Sequence, residues 1–139
     1  MLVRLLYASR AAAAVDDTVL TAIVKQCRAN NPALGVTGVL CYSGGLFMQV
    51  LEGGRSVVNR IYNGIVADPR HSDVVLLSYE EISERRFAGW SMGQVNLARL
   101  NPALLLKYSE TETLDPYALS GRMSMALFEE LVATASVCG

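Results

Sequence analysis

The run GLFMQVLEG, Gly45 to Gly53, places an amide in the middle of a strand that is apolar on both sides. Its alternation sets Phe47, Gln49 and Leu51 on one face and Leu46, Met48 and Val50 on the other. A strand of this kind belongs inside a sheet covered on both faces, which excludes a one-sided surface sheet. A primary amide brings two donors and two acceptor lone pairs into such a place, and burial penalises any that stay unpaired. Gln49 therefore needs partners, and their nature bears on what the chain does.

The neighbouring segments constrain the sheet further. Leu2–Ser9 reads as a first strand, with Val3, Leu5 and Tyr7 on one face and Arg4 on the other between Leu2 and Leu6. Asp16 or Asp17 caps a helix whose apolar positions Val19, Leu20, Ile23, Val24 and Cys27 follow helical spacing. Asn30-Asn31-Pro32 is expected to end it, because the residue before a proline avoids the helical region. Leu34–Tyr42 reads as a second strand, Ser43-Gly44-Gly45 as a hairpin turn, and Leu46–Glu52 as a third strand broken by Gly53-Gly54. A second helix is expected from about Ser56 to Ala67, stopped by Asp68-Pro69. Ser72–Ile82 holds a fourth strand, and a short fifth is expected around Trp90-Ser91-Met92.

The order β-α-β-β-α-β-β predicts an α+β, ferredoxin-like fold: a mixed sheet with two helices on one face. Beyond Asn101-Pro102, Leu104–Tyr108 reads as a short helical piece. Tyr117–Ala135 reads as a longer helix with Leu119, Met123, Leu127 and Leu131 in one row. That stripe is expected on the open face of the sheet or against a second subunit. Ala11–Ala14 reads as a small-residue loop.

Composition excludes several classes. With 12 basic and 13 acidic residues, the chain lacks the basic excess of a phosphate-backbone binder, so no direct nucleic-acid contact is expected. Cys27, Cys41 and Cys138 show neither disulfide-framework nor zinc spacing. They read as buried small hydrophobes or a tail thiol. His71, the single histidine, has no ligand cluster beside it, so no metal is expected. Gly44-Gly45 and Gly53-Gly54 are turn pairs, not a nucleotide fingerprint. The start of the chain lacks a signal-peptide pattern, and no stretch has the length of a membrane span. The expectation is a cytoplasmic protein.

In the split sheet the first and third strands are neighbours, so Tyr7 and Gln49 are expected side by side under the helices. The residues alone leave two readings: a buried hydroxyl satisfied by a buried amide, or a pair that faces a ligand. Asn31 is either a helix C-cap or a third member of the set. Arg70-His71, just past the second helix, are either end-of-helix residues or donors to an anion or carbonyl. Rows through Ile23 and Ile65, the polar set, and a Trp90–Met92 edge outline a slot suited to a flat heteroaromatic ring.

At this point the chain resembles the BLUF domain, the flavin-binding blue-light sensor module, over about residues 1 to 97. The likeness rests on LLYASRA, RANNPALGVTGVL, GLFMQVLEG, IVADPRHSDV and RRFAGWSM standing in the expected order. It implies non-covalent FAD with its ring between the two helices. Ile23 and Ile65 match the sandwiching positions, Asn31 a ligand of the pyrimidine edge, and Arg70 and His71 positions near the other carbonyl. Ser9, Cys27, Asn30 and Asp68 join them as expected cofactor-binding residues. Tyr7 matches the photochemical electron donor and Gln49 the switching amide, with Trp90 and Met92 beside it. Cys27 stands where many relatives carry a serine near the glutamine.

The resemblance thus implies a stand-alone blue-light photoreceptor and not an enzyme, with a core at 1–97 and a helical extension at 98–139. No cyclase, phosphodiesterase or DNA-binding segment is expected to follow, so output is expected through a homo-oligomer, at least a dimer, and a separate signalling protein. A hydride-transferring flavin enzyme and a ligand-binding module without photochemistry are the competing readings.

Overall fold

The computed structural model describes residues 1–12, 16–96, 100–134 and 137. Among them, five strands form one sheet in the order β4-β1-β3-β2-β5. The strands are β1 (Leu2–Ala11), β2 (Thr37–Ser43), β3 (Leu46–Gly54), β4 (His71–Ile82) and β5 (Gly93–Asn96). Helix α1 (Asp17–Leu34) joins β1 to β2, and α2 (Arg55–Ala67) joins β3 to β4. The C-terminal part contributes α3 (Pro102–Tyr108), a 3-10 turn at Pro116–Ala118 and α4 (Gly121–Ala133). All pairings are antiparallel except β2 with β5.

The amide-bearing strand β3 is central, as its two apolar faces require. One face packs Val3, Leu5, Tyr7, Phe47 and Leu51 under α1 and α2 with Leu20, Val24 and Val58. The other packs Leu6, Ala8, Met48 and Val50 against Leu105, Leu127, Phe128 and Leu131 of the C-terminal helices. The α+β, ferredoxin-like arrangement expected from the sequence is the one observed, with the C-terminal helices on the face that α1 and α2 leave open.

Several boundaries differ from expectation for local reasons. Helix α1 does not stop before Pro32; it runs through it to Leu34. Gly35 then closes it in the left-handed conformation at φ 69°, its N–H donating to the carbonyls of Asn31 and Pro32. The glycine, not the proline, ends the helix, and β2 consequently starts at Thr37. β3 continues through Gly53 and Gly54, which pair with Val3 and Leu2. Gly53 suits this packed end, since a Cβ there would lie 3.3 Å from Val58 Cγ2. Gly44 and Gly45, at φ 56° and 80°, make the expected tight hairpin turn.

Trp90 and Met92 precede β5 rather than lying in it. Helix α4 begins at Gly121, where Ser120 caps it by accepting from Met123 N–H. Tyr117 sits in the separate 3-10 turn, and Met123 is exposed. Ala11 is the last residue of β1. Ala13 and Ala14 of the expected loop, Ala135 of the expected helix, and Cys138 lie outside the described residues.

Candidate functional site

Tyr7 and Gln49 are register partners on adjacent strands, and both side chains rise toward the helices. The β1–β4 register shifts on both sides of Tyr7, at Leu6/Tyr7 and at Ala8/Arg10. Such irregularities re-aim side chains. Tyr7 Oη donates to Gln49 Oε1 at 2.6 Å, and Gln49 Nε2 donates to Met92 Sδ at 3.2 Å. Burial pushes the Tyr7 hydroxyl far above its ordinary value, and nearby Cys27, Tyr62 and Asp68 push the same way. The phenol is therefore protonated, and it donates to Gln49 Oε1.

This chain orients the amide. A thioether has no hydrogen to give. If the Gln49 amide were reversed, its oxygen would face the sulfur with no proton between them, while the Tyr7 hydroxyl would turn to accept from the NH2. The phenol can serve either orientation, so the acceptor-only sulfur selects the one observed.

Above this pair lies a cavity of about 250 Å³. Ile23, Cys27 and Asn31 of α1 line one wall, and Ile61, Gly64 and Ile65 of α2 the opposite one. Leu40, Phe47 and Leu51 join Tyr7 and Gln49 in the sheet floor, and Asp68, Arg70 and His71 close one end. Asn30 sits on the exposed rim with Gln26. Pockets of roughly 300–1,000 Å³ enclose whole drug-sized ligands, so this slot suits one fused ring system and leaves a dinucleotide tail outside.

The polar groups at its edges are held in place. Asn31, nearly buried, donates from Nδ2 to the Ser91 carbonyl at 2.7 Å. Its backbone carbonyl meanwhile accepts from Val36 N–H at 3.0 Å as α1 closes. Arg28 Nε donates to the Met92 carbonyl at 2.9 Å. These two α1 side chains thus seat the segment that carries the sulfur. Asp68 ends α2 and accepts from Arg70, Nη2 to Oδ2, at 2.6 Å. That hydrogen bond holds the Asp68 carboxyl below its usual range and raises Arg70. His71 Nδ1 lies 2.8 Å from Ser9 Oγ. Burial lowers the His71 pKa below its ordinary value; Asp68 opposes that and Arg70 adds to it. The Cys27 thiol is raised by burial.

Most residues singled out from the sequence thus converge on one slot. Ser9 stands behind His71 rather than in the lining, and Met92 lies beneath Gln49. Trp90 does not share a face with Met92. It precedes the strand, where alternation does not hold, and packs against the cluster on the C-terminal face. Among the described residues Gln49 bonds to Tyr7 and Met92, so Cys27 is a wall residue and not its partner. Phe47 and Ile61 line the slot although they were not among the expected site residues. Phe47 shares the Gln49 alternation, and Ile61 lies one helical turn before Ile65.

The donor set fits an isoalloxazine ring: apolar side chains on facing helices, amides along the floor and one edge, and a guanidinium and imidazole at the end. The comparisons agree. Residues 2–93 match the family model of BLUF, sensors of blue-light using FAD. A photoactivated adenylate cyclase subunit beta from Euglena longa is 38% identical over 92 residues, 66% of this chain and 11% of the relative. The chain thus spans about a tenth of the length of such cyclase subunits. The blue light- and temperature-regulated antirepressor BluF of Escherichia coli (strain K12) is 44% identical over 52 residues, 37% of this chain and 13% of that protein. Among solved structures, BlrB, a BLUF protein in its dark state, superposes with a TM-score of 0.81 at 35% identity, covering 96% of each chain. BlsA in its photo-activated state gives 0.85 at 33% identity, covering 95% of each. The chain belongs to the BLUF family, the sensors of blue light using FAD.

Proposed function

We propose that Tyr7 and Gln49 carry the photochemistry of this sensor, and that Met92 fixes the resting state of the switch. The hydrogen-bonded line Tyr7–Gln49–Met92 under the slot carries this reading. Ile23 and Ile65 would hold the flavin from the two helices, with Asn31, Arg70 and His71 at its polar edges and Ser9, Cys27, Asn30 and Asp68 supporting or lining the slot. When bound, FAD supplies the blue-light absorption and an oxidising excited state.

Tyr7 is the oxidisable side chain in the sheet floor. With an oxidising flavin bound to take its electron, Tyr7 would pass its hydroxyl proton across the short bond to Gln49 Oε1. The Gln49 amide, its oxygen having gained that proton and lost the hydroxyl donor, would then rotate or tautomerise. When electron and proton return to Tyr7, the amide presents a different set of donors and acceptors to the slot and to Met92. The family function is sensing, and no substrate is consumed in this cycle.

The signal leaves through residues 90–92. Met92 touches Gln49 under α1 and α2, while Trp90, two residues earlier, packs with the C-terminal helices on the other face. On this reading residues 1–97 are the light-sensing core and 98–139 the output extension. The chain works in the cytoplasm as a homo-oligomer, at least a dimer, that engages a separate signalling protein and no nucleic acid. Among the described residues no helix is long and apolar enough to cross a membrane. Half-exposed Val75, Leu76 and Tyr79 on edge strand β4 supply apolar contact surface.

Flavin absorption before, during and after blue light tests the mechanism. Tyr7→Phe is expected to keep the flavin and lose the reversible red shift; a full shift in that variant removes Tyr7 from its role.

A further inference from the structure

We propose that Glu52 is a positioning residue for the Gln49 switch, acting through the loop that delivers Met92. This rests on the reading of Gln49 and Met92 given above. β3 carries both polar residues. Gln49 points into the slot, and Glu52, three positions on, points to the other face and is 0% exposed. A buried carboxylate stands only if its charge and lone pairs are matched.

Here they are matched mainly by two groups. Arg4, 3% exposed, donates from Nε and Nη2 to Glu52 Oε2, each at 2.9 Å. The backbone N–H groups of Arg86 and Phe87 donate to Oε2 at 2.9 Å and Oε1 at 2.8 Å. Arg4 also reaches Glu80 from Nη1 at 2.9 Å, so β1, β3 and β4 share the anchor. Arg85 adds a tie from Nη2 to the Gly35 carbonyl at 2.6 Å.

From Phe87 the chain runs a short, fastened course to the switch. Phe87 is fully buried and meets Phe128 edge-on at 6.3 Å. Trp90 N–H donates to the Phe87 carbonyl at 3.2 Å, and the Trp90 carbonyl accepts from Gly38 N–H at 3.0 Å. Asn31 and Arg28 then hold the carbonyls of Ser91 and Met92. The loop is therefore held by α1 side chains at its end, by Gly38 N–H at Trp90, and at its start by the Glu52 carboxylate together with Arg85. α1 borders the slot. Glu52 is the anchor on the opposite face, beside the C-terminal helices. It sets where Phe87 begins, and hence how firmly the Met92 sulfur meets Gln49 Nε2.

Glu52→Gln is the informative change. It keeps the size but puts an NH2 against N–H donors of Arg4, Arg86 or Phe87. The Met92 seat loosens, the preference of Gln49 for its resting orientation weakens, and the illuminated state persists longer.

The test uses FAD-loaded protein and two readouts. Hydrogen exchange of a peptide spanning residues 86–92 in the dark is expected to speed up by about tenfold in Glu52→Gln. Dark recovery of the red shift is expected to slow by about threefold or more at equal flavin content. Arg55→Ala, which breaks the exposed pair with Glu81 on the same sheet, serves as control and should change neither. If Glu52→Gln does not fold, Glu52→Asp carries the test, since it keeps the charge near Arg4 and withdraws it from the loop amides. Faster exchange with unchanged recovery makes Glu52 structural only and overturns the proposal, as does no change in either. A parent protein that binds FAD without shifting overturns the underlying reading instead.

Discussion

At the scale of the residue, one amide is held between a phenol that burial keeps protonated and an acceptor that cannot donate. Tyr7→Phe leaves Gln49 Oε1 without its partner in a buried site and is expected to cost about 1–3 kcal/mol in urea unfolding, besides abolishing the shift. Gln49→Leu is likewise expected to retain flavin and show no shift. Met92→Leu conserves volume but deletes the sulfur, so the amide loses the acceptor that orients it. The resting flavin spectrum is expected to move and dark recovery to change; a variant identical to the parent in both would separate Met92 from the switch. His71 gives a pH signature. Its folded-state pKa is lowered, mainly by burial, so on acidification the unfolded chain binds a proton first. Its contribution to stability is complete above about pH 6.5 and is lost as pH falls through the lowered value. His71→Gln should flatten that part of the profile of melting temperature against pH.

At the scale of the element, the closest contacts show which placements the site tolerates. A Cβ on Gly38 would lie 2.0 Å from the Val50 carbonyl oxygen. Gly38→Ala must push β2 from β3 and is expected to cost about 1–3 kcal/mol in urea unfolding. Phe128→Ala empties the centre of the C-terminal face and is expected to cost about 3–5 kcal/mol, with the slot residues untouched. The two apolar faces were legible in sequence because alternation reports burial directly, and the Tyr7–Gln49 pair because the split β-α-β pattern makes the first and third strands neighbours. The course of Trp90–Met92 was not, because that segment is irregular and its sides are set by ties to Gly38, Asn31 and Arg28. Nor was the helix through Pro32, where a left-handed glycine three residues on outweighs the local rule. The oxygen–sulfur asymmetry around Gln49 depends on which atom of Met92 arrives, and no spacing encodes that.

At the scale of the whole molecule, the sheet separates the face that bears the slot from a face covered by α3 and α4, and residues 90–92 pass between them. Assembly is expected to involve a surface outside the slot. Sedimentation should therefore show a dimer or larger species; a pure monomer in dark and light would remove the oligomer from the account. The central claim is that the Tyr7–Gln49–Met92 line is a light-driven switch, and the flavin absorption spectrum reads it directly. Purified protein is expected to show an oxidised-flavin spectrum that moves slightly to the red under blue light and returns in the dark, with Tyr7→Phe retaining the flavin but not the shift. A flavin-loaded parent whose spectrum stays still under blue light, or a Tyr7→Phe variant that shifts as the parent does, would contradict it.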